Sequence, residues 1–255
     1  MLFTSSSFIG VDPTAGEKPF VYAALDHEKR LLALDHGNME DVLAFAAGQR
    51  QTILAVCAPR RANRGIMARP EVRQSLNPPP SPGRWENFRL ADYLLRQHNF
   101  SAPQTPADET KAPQWMRNGF TLFRRLESLG YVAYPKDGAE RQSLEVYPYA
   151  GYAALIGSRP LSKHSLEGRL QRQLILHEFQ VGVPDPMRIF EEITRHRLIN
   201  GVLPLETLYS PGELDALIAA YIAWLAALHP DQITLLGDPD EGQVALPASA
   251  LKARY

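Results

Sequence analysis

The chain has 255 residues, 45% of them hydrophobic and 22% charged, with a formal net charge of -1. Near neutrality excludes a global positive field that would draw in nucleic acid, so any anion site has to be local. The single cysteine, Cys57, excludes an intrachain disulfide and a CxxC metal site, and residues 1–5 lack the basic and apolar runs of a signal peptide, so the expected location is the cytoplasm.

Residues 7–12, 20–25 and 31–34 read as three short strands joined by polar turns, which makes them antiparallel neighbours. Asn38 offers an N-cap, Glu40 and Asp41 suit a first turn, and Gly48 closes a helix. The apolar run 53–56 follows as a strand that a helical crossover places parallel to an earlier one. Residues 57–113 change character. Arg60, Arg61, Arg64, Arg69 and Arg73 crowd one loop, proline-rich links occupy 77–83 and 101–113, and a helix is expected over 85–97. We read a single domain over 1–255, carrying a helical and proline-rich insertion at about 60–130.

A helix over 114–129 capped by Gly130 comes next, then candidate strands at 131–134 and 144–147. Amphipathic spacing predicts helices over 166–179 and 187–199. Ser210, Pro211 and Glu213 supply a cap, a first-position proline and a capping-box acid for a last helix. Its apolar run, 214–228, is shorter than the roughly 20 residues of a membrane span, so no membrane partner is expected. Runs at 233–236 and 243–246 suggest a terminal hairpin, with Asp238, Asp240 and Glu241 in a charged turn that is a weaker candidate for calcium.

Three acids stand alone in apolar surroundings: Asp12 closes Phe8–Val11, Glu145 interrupts Leu144–Tyr147, and Asp215 is the only charge in 214–228. An uncompensated buried carboxylate costs several kcal/mol, so convergence on a hard cation such as magnesium would explain all three. Each also has a plainer account. Asp12 can cap its own turn, Glu145 can sit on an edge strand in solvent, and Asp215 can face water or a basic side chain. Arg60, Arg64, Lys163, Arg169 and Arg172 are the candidate phosphate ligands, although a solvated loop explains the first two equally well. Trp115, Trp224 and the tyrosines of 147–152 read as core, and no aromatic residue is interleaved with the arginines, which leaves single-strand stacking unsupported.

The segments Gly10-Val11-Asp12, Leu54-Ala55-Val56-Cys57-Ala58-Pro59, Glu145-Val146-Tyr147-Pro148 and Leu214-Asp215-Ala216-Leu217, taken in order, resemble an uncharacterised family of predicted nucleases with the RNase H-like fold. The resemblance implies an α/β fold whose mixed sheet has three antiparallel strands and then parallel ones, flanked by helices. It further implies a two-metal phosphodiester hydrolase acting on nucleic acid or another phosphoester. Asp12, Glu145 and Asp215 would be the catalytic residues and the ligands of Mg2+ or Mn2+. Cys57 stands where that family usually has an acid, and a thiol is a poor magnesium ligand. The alternative is therefore a catalytically impaired binding module of the same fold. A third reading rests on Gly10 to Gly16, which resembles the phosphate loop of sugar kinases and related ATPases.

Overall fold

The computed structural model describes residues 6–81 and 83–255; residues 1–5, read above for a signal peptide, and Pro82 of the first proline-rich link lie outside the described residues. Alternating apolar runs form β1 (Ser7–Asp12), β2 (Phe20–Leu25) and β3 (Leu31–Gly37), antiparallel as the short turns dictate. Asn38 accepts from the N–H groups of Glu40 and Asp41 to start α1 (Met39–Ala47), and the crossover delivers β4 (Thr52–Val56) parallel to β1. The inserted region then contributes α2 (Pro70–Ser75) and α3 (Leu90–Gln97), and α4 (Gln114–Ser128) leads back to the sheet. The pair β5 (Val132–Ala133) and β6 (Arg141–Val146) is parallel. Helices α5 (Pro148–Ile156), α6 (Leu166–Glu178), α7 (Arg188–Glu192), α8 (Arg195–Ile199) and α9 (Pro211–Leu228) follow. The chain closes with the antiparallel pair β7 (Thr234–Asp238) and β8 (Gly242–Leu246).

The sheet runs β3-β2-β1-β4-β6-β8-β7, with β5 beside β6. Strands β1, β4, β6 and β8 are parallel, so their carboxyl ends share one edge. The period of two divides the core. Phe8, Ile53, Ala55, Cys57, Leu144 and Val146 face α9 on one side, whereas Ile9, Val11, Leu54 and Val56 face Val42 of α1 and Phe123 of α4 on the other. Helix α9 is long and apolar enough to cross a bilayer, yet every residue from 214 to 223 is buried inside the protein. Its seat on the sheet is made by Gly10. A Cβ there would lie 2.0 Å from the Ala216 carbonyl oxygen and 2.3 Å from the Ala220 nitrogen, so only glycine lets the helix backbone come this close.

Several elements differ from expectation. The helix predicted over 187–199 is two short helices, because Thr194 caps a new start by accepting from the Arg197 N–H. The tyrosine-rich stretch after Glu145 is helix α5, marked by Pro148 at its first position and by Gly157, left-handed at φ +69°, at its end. The strand expected over 131–134 shrinks to two residues, and the helix expected over 85–97 begins only at Leu90.

Candidate functional site

The chain leaves β1, β4 and β6 at the same sheet edge, through Asp12, Cys57 and Tyr147. Register brings Val11 beside Val56 and Val56 beside Glu145. Asp12 is therefore level with Cys57, whose N–H donates to the Val11 carbonyl at 2.8 Å. Asp12 shares the parity of Phe8 and so faces α9. Because Gly10 admits the helix, its first turns cover this edge and bring Asp215 to Asp12. The Cys57 thiol donates to the Asp215 backbone oxygen at 3.4 Å, and a Cβ on Gly212 would stand 3.5 Å from Asp12 Oδ2.

Two carboxylates thus meet at one point with one ammonium. Lys163 Nζ lies 2.5 Å from Asp215 Oδ2. Burial, then the charge of Asp215, push the Asp12 carboxyl up to about 7, and Lys163 offsets only part of this. Burial also raises Asp215, against the pull of Lys163. For Lys163 itself burial favours the neutral amine, but the charge and hydrogen bond of Asp215, together with the charge of Asp12, outweigh it and the ammonium is held above its ordinary range. The Cys57 thiol is pushed well up by burial and by both acids, so it stays protonated, neither nucleophile nor metal ligand.

Lys163 owes its position to a loop locked onto α6. A Cβ on Gly168 would fall 1.7 Å from the Ser162 carbonyl oxygen, Gln171 accepts from the Leu161 N–H at 2.7 Å, and Arg172 Nη1 donates to the Leu161 carbonyl at 2.7 Å. Arg172 is 2% exposed, lies over the Tyr152 ring at 5.3 Å, and its Nε has no hydrogen-bond partner. These groups sit in a cleft of about 900 Å³. Asp12, Asp215, Lys163 and Arg172 form its inner charged part, with Lys18, His36 and His164 also on its lining; Trp115, Tyr147 and Tyr149 form an aromatic part, and the loops at Thr14 and Ser210 its rim. Ligands of open α/β sheets commonly bind at carboxyl strand ends of this kind.

Glu145 does not join the other two acids. Alternation sends it to the opposite face from Leu144 and Val146, where Arg89 meets it with both terminal nitrogens and the Arg60 N–H donates to Oε2 at 3.0 Å. Arg89 is 1% exposed and also pairs with Asp92 at 3.1 Å, and Asp92 accepts from the Thr105 N–H at 2.7 Å. Burial pulls the Arg89 guanidinium toward neutrality; Glu145 and Asp92 outweigh it and hold the cation above its ordinary range. The expected three-acid metal centre is corrected accordingly: among the described residues no group of three or more His, Cys, Asp and Glu side chains is placed to hold a metal.

The basic candidates divide as sharply. Lys163 and Arg172 line the cleft. Arg60 is buried with Glu127 at 2.8 Å and the Ser143 carbonyl at 2.8 Å, so it is architecture and not a phosphate ligand. Arg64 reaches across to the β7–β8 turn, its N–H on Glu241 at 2.8 Å and its Nη1 on the Asp240 carbonyl at 3.2 Å. Arg169 is held by the carbonyls of Leu208 at 2.6 Å and Tyr209 at 2.8 Å. Glu241 is fully buried and also accepts from the Leu90 N–H at 2.8 Å, which clamps the inserted region to the terminal hairpin and leaves it no role with calcium. Gly10 of the apparent phosphate loop is committed to α9, so the kinase-like motif loses its first glycine.

Sequence reasoning missed Arg89 and Asp92, although an Arg and an Asp three apart at the start of an apolar helix are a readable ion-pair signal. It also assigned Trp115, Tyr147 and Tyr149 to the core, and they are half-buried at the cleft. No curated protein and no solved structure matches the chain. A family model described as a protein of unknown function (DUF429) matches residues 10–241, which include both cleft acids, Cys57 and Lys163, and the chain belongs to that family.

Proposed function

We propose that the cleft is a phosphoester hydrolase site of nuclease type, on an RNase H-like scaffold, using one divalent cation and not two. The observation that carries this reading is the shortage of positive charge at Asp12: the buried Asp215 takes the Lys163 ammonium as its ion-pair partner, and the half-buried Asp12 beside it is raised to about 7 in an open cleft. Magnesium is commonly held by one or two carboxylates, with water and substrate phosphate completing its shell. Asp12 and Asp215 fit that demand. A second ion would need a further oxygen donor where the buried Cys57 thiol stands, and Glu145 is on the other face, so the residues present do not fit a pair of metals. A bound cation would supply Lewis acidity and an acidified water.

The chain's own groups do the rest. Asp12 titrates at about 7 without a cation, so a cation bound there near neutral pH would displace its proton and hold it as the carboxylate. Lys163 and Arg172 bring positive charge to the same cleft and would neutralise a phosphate. The sheet order β3-β2-β1-β4-β6, antiparallel and then parallel, agrees with the scaffold that the motifs resemble. The test is cleavage of labelled DNA and RNA with magnesium or manganese. We expect turnover that falls about a hundredfold or more in Asp12→Asn. Absence of metal-dependent cleavage by the pure protein would overturn the proposal.

One observation favours the impaired binding module. Lys163 already neutralises Asp215, so the cleft could hold an anion without any metal. That reading expects retention of an oligonucleotide without turnover, abolished by Lys163→Met. Loss of binding on replacing Arg60 is not expected as a direct effect, since Arg60 is buried.

A further inference from the structure

The aromatic part of the cleft has no role in handling a phosphate, and it is built with some care. Trp115 sits in the first turn of α4. That helix is pressed onto the exit of β4 at Gly119, where a Cβ would come 2.4 Å from Ala58 Cβ, and Asn118 donates to the Thr14 carbonyl at 2.7 Å across the cleft rim. Tyr147 is fixed by its hydroxyl, which donates to the Ser101 carbonyl at 2.7 Å, and its ring centroid lies 6.1 Å from that of Tyr149. The Tyr147 ring lines the same cleft as Asp12 and Asp215, and burial, followed by the nearby charges of Tyr149 and Asp215, pushes its hydroxyl up to about 12. Half-buried rings beside one half-buried and one buried cation form a composite surface: π-faces for a planar group, and Lys163 with the partly unpartnered Arg172 for an anion.

We propose that the cleft takes a single unstacked nucleotide, with its base against Trp115 or Tyr149 and its phosphate toward Lys163 and Arg172. This rests on the hydrolase reading for the chemistry but not for the binding. It assigns single-stranded nucleic acid, or the unpaired end of a duplex, as the substrate class. A paired base has both faces stacked within the helix and cannot lie on a protein ring without leaving its neighbours. Sequence-tolerant stacking of this sort is worth about ten- to hundredfold in affinity per base.

The experiment is titration of the metal-free protein with a short fluorescent oligothymidylate, its duplex form, and ribose 5-phosphate as a base-free anion. We expect the single strand to bind at least about tenfold more tightly than the duplex. Intrinsic tryptophan emission should be quenched by the oligonucleotide and not by ribose 5-phosphate. Trp115→Phe should retain binding by anisotropy while losing that quench, whereas Tyr149→Ala should weaken binding about tenfold and preserve folding, checked by circular dichroism. Equal affinity for single strand and duplex, or a quench that survives Trp115→Phe, would overturn the inference. Metal-dependent cleavage with no strand preference would leave the hydrolase standing and this inference refuted; single-strand binding without cleavage would do the reverse.

Discussion

On one face of the sheet Glu145 and Asp92 share Arg89, and both acids also accept from backbone N–H groups of Arg60 and Thr105. On the other face Asp12 and Asp215 share Lys163, and the shared cation leaves Asp12 at about 7. Both clusters sit near the carboxyl end of the same parallel strands, and both bury acids. They differ in completeness. In the first, each acid has a guanidinium and a backbone donor, and the arginine is 1% exposed, so the network closes on itself. In the second, Lys163 keeps a side chain 40% exposed and the acids line an open cleft. A satisfied buried network specifies architecture, whereas a charge deficit facing a cleft leaves free energy for a ligand to collect.

The largest expected effect breaks the closed cluster. Arg89→Met strands Glu145 and Asp92 without their cation and should cost about 3–5 kcal/mol in urea unfolding. Adding Glu145→Gln to that variant should restore part of the loss. A cost below about 1 kcal/mol would show that the network is not closed. Next, Gly10→Ala forces a methyl group into the α9 backbone at 2.0 Å and should cost about 1–3 kcal/mol in the same assay. Because the helix carries Asp215, this variant should also lose any magnesium-dependent rise in melting temperature.

Asp12→Asn should have the opposite sign. The folded carboxyl titrates at about 7, above its ordinary range, so between pH 4 and 7 the folded protein holds the extra proton and stability falls as pH rises. The groups that set this are Asp215, which opposes the charge, and Lys163, which supports it. Without divalent ions Asp12→Asn should therefore be more stable than the wild type by about 1–2 kcal/mol at pH 8, and indistinguishable from it near pH 4. Destabilisation at pH 8 would contradict the deficit. The smallest effect is expected at Arg64→Ala, within about 0.5 kcal/mol, with oligonucleotide affinity unchanged, because Arg64 is exposed and lies at the hairpin turn away from the cleft.

Much of the scaffold was legible in the residues. Short polar turns announced the antiparallel start, the Asn38 and Ser210 caps located α1 and α9, and the lone Asp12 and Asp215 pointed to one edge of the sheet. Glu145 misled because its isolation among apolar residues reports burial and not direction. Strand parity sends it away from Asp12, and the register that reveals this is a long-range property. Arg60, Arg64 and Arg169 misled for a related reason: a guanidinium's partners here are carbonyls and acids up to 176 positions away in sequence. The aromatic wall was hidden because a half-buried ring at a cleft and a ring in the core have the same local spacing.

The central claim is that Asp12 and Asp215 are left short of positive charge, and direct titration of their side-chain carboxyl resonances by carbon-detected NMR tests it most closely. The account expects Asp12 to titrate near pH 7 in metal-free buffer and to shift to lower pH when magnesium is added. A midpoint near pH 4 that magnesium leaves unmoved would contradict it.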